Sequence, residues 1–207
     1  HTHKRMMAEQ NTANKLDADD AAKCLSPAPT STVEKTNADD ADAQIIARLC
    51  EDLKLEPHPE GGFFAETYKS EIEVTAPWGG GVIRAASTAI HFLITPGSVS
   101  RLHRLQADEV WHFYGGGPMT VVELVGDGAC TTVLGPLGMG PYVQQHVVKA
   151  GTWFGSFPNP GSSFSLVGCT VAPGFEFDDF ELASHAKLVE EFPKAETLIS
   201  KLTVGLP

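Results

Sequence analysis

Between Gly81 and Val171 the chain is cut at short, regular intervals by turn residues, and the runs between the cuts are rich in Val, Thr, Phe, Trp and Tyr. That pattern predicts many short strands and an all-β barrel or sandwich. No helical periodicity interrupts it, which counts against a parallel sheet with crossover helices. Strands are expected near Phe63–Lys69, Val82–Thr95, Ser98–Leu105, Glu109–Tyr114, Met119–Val125, Cys130–Leu134, Tyr142–Lys149, Thr152–Phe157 and Ser163–Val171. Closing such a sheet leaves room for one small ligand inside.

The stretch Gly97–Gly117, GSVSRLHRLQADEVWHFYGGG, concentrates the chemistry. It reads as a hairpin turning at Gln106-Ala107-Asp108. The two-residue period places His103 with Leu105 on one side, and Glu109, Trp111 and Phe113 together on one side of the next strand. If the register brings both sets to the same interior, an imidazole and a carboxylate meet among aromatic rings. By the same alternation Phe64, Glu66 and Tyr68 share a face, and Glu66 is either an edge charge or a pocket acid with Arg84 as candidate partner.

The spacing Gly97, His103, Glu109, Gly115 resembles the first cupin motif. Leu105 stands where that motif has a second His. The runs HPEGGFFAETY, RLHRLQADEVWHFY, QHVVKAGTWFGS and SLVGCTVAPGFEFDDFEL together resemble the small cupin-5-type family of unknown function, over residues 44–192. The resemblance implies a double-stranded β-helix, the RmlC-like jelly roll, with a few short peripheral helices, a pocket inside the barrel and a homodimer. In the second cupin motif Lys149 replaces the proline and Phe154 the metal-binding histidine. His103 and Glu109 then remain as two of the usual four metal ligands, enough for a weakly held divalent transition metal. His91, His112 and His146 are substitutes, but strand phase turns His112 and His146 to the other face. Gln145 matches the family's glutamine and is expected in the pocket.

Three functions follow: an epimerase or isomerase acting on a small polar or carbohydrate-like molecule, a metal-dependent lyase or oxygenase, or a non-catalytic binding or storage barrel. In the first, His103 is the base, with Glu109 beside it, and Tyr68 or Tyr142 the acid. Trp111, Phe113, Gln145, Glu66 and Arg84 are the expected ligand contacts. Residues Gly81–His103 carry a loose similarity to nucleotide-sugar 3,5-epimerases.

Every Phe, Tyr and Trp lies between Phe63 and Phe192. Residues 1–40 lack the apolar material to offset ordering entropy and read as a disordered acidic, polar tail. The cupin domain is expected over 41–192, beginning with a packing helix at Ala41–Leu53 capped by Asn37 or Asp39, and 193–207 as a surface helix and tail. A net charge of −11 disfavours nucleic acid as a partner. No signal-peptide core or membrane-length apolar run is present, so a cytoplasmic protein without a membrane partner is expected. Cys24, Cys50, Cys130 and Cys169 read as reduced, buried thiols, and Asp178-Asp179 as a solvated turn.

Overall fold

The structure, a computed structural model, describes residues 32–205, with side chains from residue 40. Most of the expected tail, with Cys24, lies outside the described residues. Its last part does not: helix α1 runs Thr32–Asp52, passing through the expected caps at Asn37 and Asp39. That segment contains neither Gly nor Pro and is rich in alanine, so nothing in it stops a helix. Along α1 and at Leu53 just past its end, Ile46, Leu49 and Leu53 are half-buried and Ile45 is exposed, so the stripe expected to pack against the barrel is left largely open.

The strands follow in order: β1 (Glu56–Pro57), β2 (Phe63–Lys69), β3 (Glu73–Thr75), β4 (Ile83–Ala85), β5 (Thr88–Ile94), β6 (Ser100–Leu105), β7 (Asp108–Gly116), β8 (Met119–Val125), β9 (Gly128–Leu134), β10 (Gln145–Val148), β11 (Phe154–Pro158), β12 (Ser165–Ala172) and β13 (Phe180–Leu182). Helices α2 (His185–Glu191) and α3 (Glu196–Leu202) close the chain. One sheet has the order β1-β2-β5-β12-β7-β10 and the other β13-β6-β11-β8-β9, while β3 and β4 form a separate ribbon. The pairings of these three sheets are antiparallel. Face to face, the two large sheets make the double-stranded β-helix. None of the described helices is long and apolar enough to cross a membrane.

β6 and β7 are not partners in a hairpin. β6 pairs with β11 and β13, and β7 with β10 and β12, so the chain crosses from one sheet to the other at Gln106-Ala107. Asp108 secures the corner by accepting from the Ala150 backbone N–H at 2.9 Å and pairing with Lys149 at 2.7 Å. His103 and Glu109 therefore meet from opposite walls.

The interior between the sheets is filled by Phe92, Ile94, Trp111, Met119, Val121 and Phe154, all essentially inaccessible. Each such side chain contributes roughly 2–3 kcal/mol by leaving water. A second core lies behind the five-stranded sheet, where Leu102, Val122 and Leu124 pack on Leu188, Phe192, Ile199 and Leu202. The C-terminal helices are thus structural, not a surface appendage, because outward-facing apolar residues of β6 and β8 need cover. Cys169 is buried, Cys50 half-buried and Cys130 exposed, so the expectation of buried thiols fits Cys169 best.

Candidate functional site

A cavity of about 130 Å³ opens between the sheets. His58, Glu60, His103, Glu109 and Cys169 supply its polar floor, Phe64, Phe92, Phe175, Phe177 and Phe180 its aromatic walls, and Glu66, Lys69 and Glu176 its charged mouth. His103 is 2% exposed, Glu60 6% and Glu109 7%.

His58 and Glu60 reach the floor through the turn before β2. His58 N–H donates to Gly62 O at 3.0 Å and Gly61 N–H donates to His58 O at 2.9 Å. Gly61 (φ 107°) and Gly62 (φ 70°) adopt backbone open to glycine alone at low cost, and a Cβ on Gly61 would lie 2.2 Å from Val99 O. The Arg101 N–H then donates to Glu60 O at 2.8 Å, tying the turn to β6.

The hydrogen bonds fix where protons sit. His103 Nδ1 lies 2.7 Å from Arg101 O, an acceptor only, so Nδ1 carries the proton and Nε2 faces Glu60 Oε2 at 3.3 Å. The Glu60 backbone N–H donates to His58 Nδ1 at 3.3 Å, so that nitrogen, 3.5 Å from the same Oε2, is bare. Glu60 Oε1 accepts from the Ser100 hydroxyl at 2.7 Å. Oε2 thus faces two imidazole nitrogens that need a donor, and a neutral carboxylic acid at Glu60 supplies one hydrogen, which satisfies one of them and leaves the other bare. Burial acts in the same direction: it raises the Glu60 carboxyl above the usual range and lowers both imidazoles. On the facing wall, burial pushes Glu109 up to about 7, with the His103 ring opposing the rise. Its Oε2 accepts from the Trp111 indole N–H at 3.1 Å. Cys169 beside it is pushed well above its ordinary value, by burial first and then by the Glu109 charge.

The structure sorts the expected site residues. His103, Glu109 and Glu66 line the cavity. Tyr68 does not: a bulge between Glu66 and Tyr68 in the β2–β5 register breaks the alternation, leaving Tyr68 55% exposed and bringing Lys69 to the mouth instead. Trp111 is behind the floor, edge-on to Phe92 and Phe154, and acts on the site through Glu109. Phe113 packs at the core margin and borders, with Gln145 and Tyr142, a depression outside the main cavity. Gln145 pairs with His112 in register and its side-chain amide sits 2.9 Å from His112 Nδ1, on the outer face. His146 pairs with Trp111 and contacts Glu123 at 2.6 Å, so the expected phase of β10 is reversed. Arg84 is bound to Asp179 at 2.6 and 3.0 Å rather than to Glu66, which makes Asp179 a paired anchor and not a solvated turn residue.

Glu60 is the site group that the sequence does not single out, and His58, which the sequence reads as a loop hydrogen-bonder, keeps those bonds and joins it on the cavity floor. Their signal was the run His58–Tyr68, where a carboxylate followed by two glycines enters an aromatic strand.

The donor set fits a cupin metal poorly. Phe154 is the register partner of His103, and the ring centroids are 4.1 Å apart, so an apolar ring stands where a ligand would. Among the described residues no three His, Cys, Asp or Glu side chains are arranged to hold a metal ion.

The family described as "Cupin superfamily (DUF985)" matches residues 47–183. The chain belongs to this cupin family. The uncharacterized protein YML079W of Saccharomyces cerevisiae is 33% identical over 147 residues, 65% of this chain and 73% of that one. The structure of protein SO0799 from Shewanella oneidensis is 39% identical with a TM-score of 0.67, covering 75% of this chain and 94% of that chain. A hypothetical protein from Leishmania major is 33% identical with a TM-score of 0.69, covering 75% and 97%. As a cupin, the chain retains His103 and Glu109 of the first motif and replaces the other two ligands with Leu105 and Phe154.

Proposed function

We propose that this cupin binds a small polar, carbohydrate-like molecule in its barrel and moves a proton on it, as an epimerase or isomerase does. The observation that carries this reading is the position of His103: fully enclosed, its tautomer set by Arg101 O, and flanked by Glu60 at 3.3 Å with Glu109 on the facing wall. With the Glu60 acid hydrogen given to His58 Nδ1, His103 Nε2 is left as a bare nitrogen and takes a proton from carbon beside a carbonyl. The C–H electron pair becomes the enolate, the protonated Glu109 carboxyl returns a proton to carbon from the other wall, and transfer of the proton gained by His103 to the Glu109 carboxylate restores both groups. No atoms are gained or lost, so no co-reactant is needed. A carboxyl pushed up to about 7 by burial, as at Glu109, suits either direction. Glu109 takes the acid role in place of Tyr68, which points away from the cavity.

The lyase or oxygenase reading loses support with the incomplete ligand set. A non-catalytic binding barrel uses the same cavity and differs only in the outcome of the test. A panel of small hydroxy-carbonyl compounds is screened by thermal shift against the wild type and His103→Asn. Hits are then incubated in D2O and followed by NMR. Deuterium entering beside the carbonyl with the wild type, and not with His103→Asn, supports proton transfer; binding without exchange leaves the non-catalytic barrel.

We also propose a homodimer, in which the exposed outer face of the six-stranded sheet, with Tyr68 and Tyr114, is covered by a second copy.

A further inference from the structure

We propose that the cavity selects a small organic cation, so that its ligand carries an ammonium group; this rests on the reading of the barrel interior as the ligand site. Two independent features meet at the mouth. The first is shape. Phe175, Phe177 and Phe180 have ring centroids 5.1, 6.1 and 6.2 Å apart, with ring planes 80°, 70° and 80° from one another. Three mutually perpendicular rings form the corner of a box, and a ring face is the negative side of an aromatic quadrupole. Phe177 is 53% exposed and also stacks on His58 at 5.9 Å, so it lines the cavity with part of its surface still open to an incoming group.

The second feature is charge. Four carboxyl groups, Glu60, Glu66, Glu109 and Glu176, line the cavity, and with Glu60 neutral and Glu109 the acid on the floor, Glu66 at the rim is the carboxylate left unpaired among them. Lys69 is the only lysine or arginine among the lining residues, and it is already bound to Glu176 at 2.6 Å. A phosphate or carboxylate entering here would find no free cation and would face Glu66 at the rim. An ammonium group finds aromatic faces and the Glu66 carboxylate together, the combination by which cations are recognised. The nucleotide-sugar type of substrate, with its phosphates, is therefore disfavoured, and an amine-bearing small molecule favoured. The box takes the cationic end, leaving the polar floor for the other.

Choline and its uncharged isostere 3,3-dimethyl-1-butanol test this by calorimetry on the full chain, beside Phe177→Leu and Phe177→Trp. Cation–π attraction in a desolvated site predicts that choline binds about tenfold or more tightly than the isostere. Phe177→Leu keeps apolar bulk and should abolish that preference, while Phe177→Trp should keep or strengthen it. Equal affinity for the two probes, or a preference that survives Phe177→Leu, overturns the inference. Failure of choline to bind also overturns it. If uncharged ligands then still shift melting in a His103-dependent way, the barrel-interior reading stands alone; if they do not, both fall.

Discussion

Phe154 faces His103 across the β11–β6 register, ring against ring at 4.1 Å, in the position where the second cupin motif carries a histidine. Phe154→His should rebuild a three-ligand site with His103 and Glu109. Zinc titrated by calorimetry is expected to bind the variant stoichiometrically and at least tenfold more tightly than the wild type. The fully buried phenyl would be lost at a cost of about 2 kcal/mol. Zinc affinity unchanged from the wild type would show that the backbone no longer presents the position correctly.

Glu60→Gln tests the protonation pattern of the floor. A glutamine reproduces a carboxylic acid: its carbonyl accepts from Ser100 and its amide donates toward His58 and His103. The expected cost in urea denaturation is under about 1 kcal/mol, against roughly 2–4 kcal/mol for Glu60→Ala, which strands Ser100 and both rings. A cost of about 3 kcal/mol or more for Gln would instead indicate an ion pair, since removing one charge of a buried pair is severe.

The Glu109 carboxyl rises from 4.5 to about 7 on folding. The folded state therefore binds the proton more tightly than the unfolded one, so stability from this group is present below pH 4.5 and is lost as pH climbs through 7. His103, lowered by burial, acts with the opposite sign over the acid part of that window, so the two must be separated. The difference in unfolding free energy between wild type and Glu109→Gln isolates it: the variant should gain relative to wild type between pH 5 and 8, by up to about 3 kcal/mol. A difference independent of pH would place the Glu109 titration elsewhere.

Arg84 and Asp179 pin the segment that carries the three phenylalanine rings, with both side chains largely covered. Arg84→Lys retains charge but not the two-point hydrogen bond. Hydrogen exchange across residues 175–180 should accelerate in the variant while exchange in β5 and β12 stays unchanged. Equal protection in both proteins would mean that the rings hold the segment unaided.

Light scattering should give twice the chain mass across micromolar concentrations, and Tyr114→Lys, on the exposed sheet face, should reduce it to one. A wild-type monomer would sink the dimer.

Much of the architecture is legible in the strand pattern, because alternation and turn residues are local. β2 and β8 run Phe63–Lys69 and Met119–Val125, as the pattern predicts. What was not legible depends on inserted residues and on distant pairings. One bulge in β2 removed Tyr68 from the site, and the β7–β10 register exchanged the faces of Gln145 and His146. Glu60 is not legible because a carboxylate beside two glycines reads as a surface turn until β6 closes over it. His103 and Glu109 were marked by their motif, but only the crossing between sheets shows that they oppose each other.

That crossing sets a timetable. Although His103 and Glu109 are near neighbours in sequence, the walls that bear them belong to sheets assembled from strands spread along most of the chain, and the aromatic cover at Phe175–Phe180 comes after all but the last strand. On a ribosome the pocket is completed only after the segment Phe175–Phe180 has been made. A nascent chain stalled before Phe175 would carry both groups and still have no chamber in which to use them.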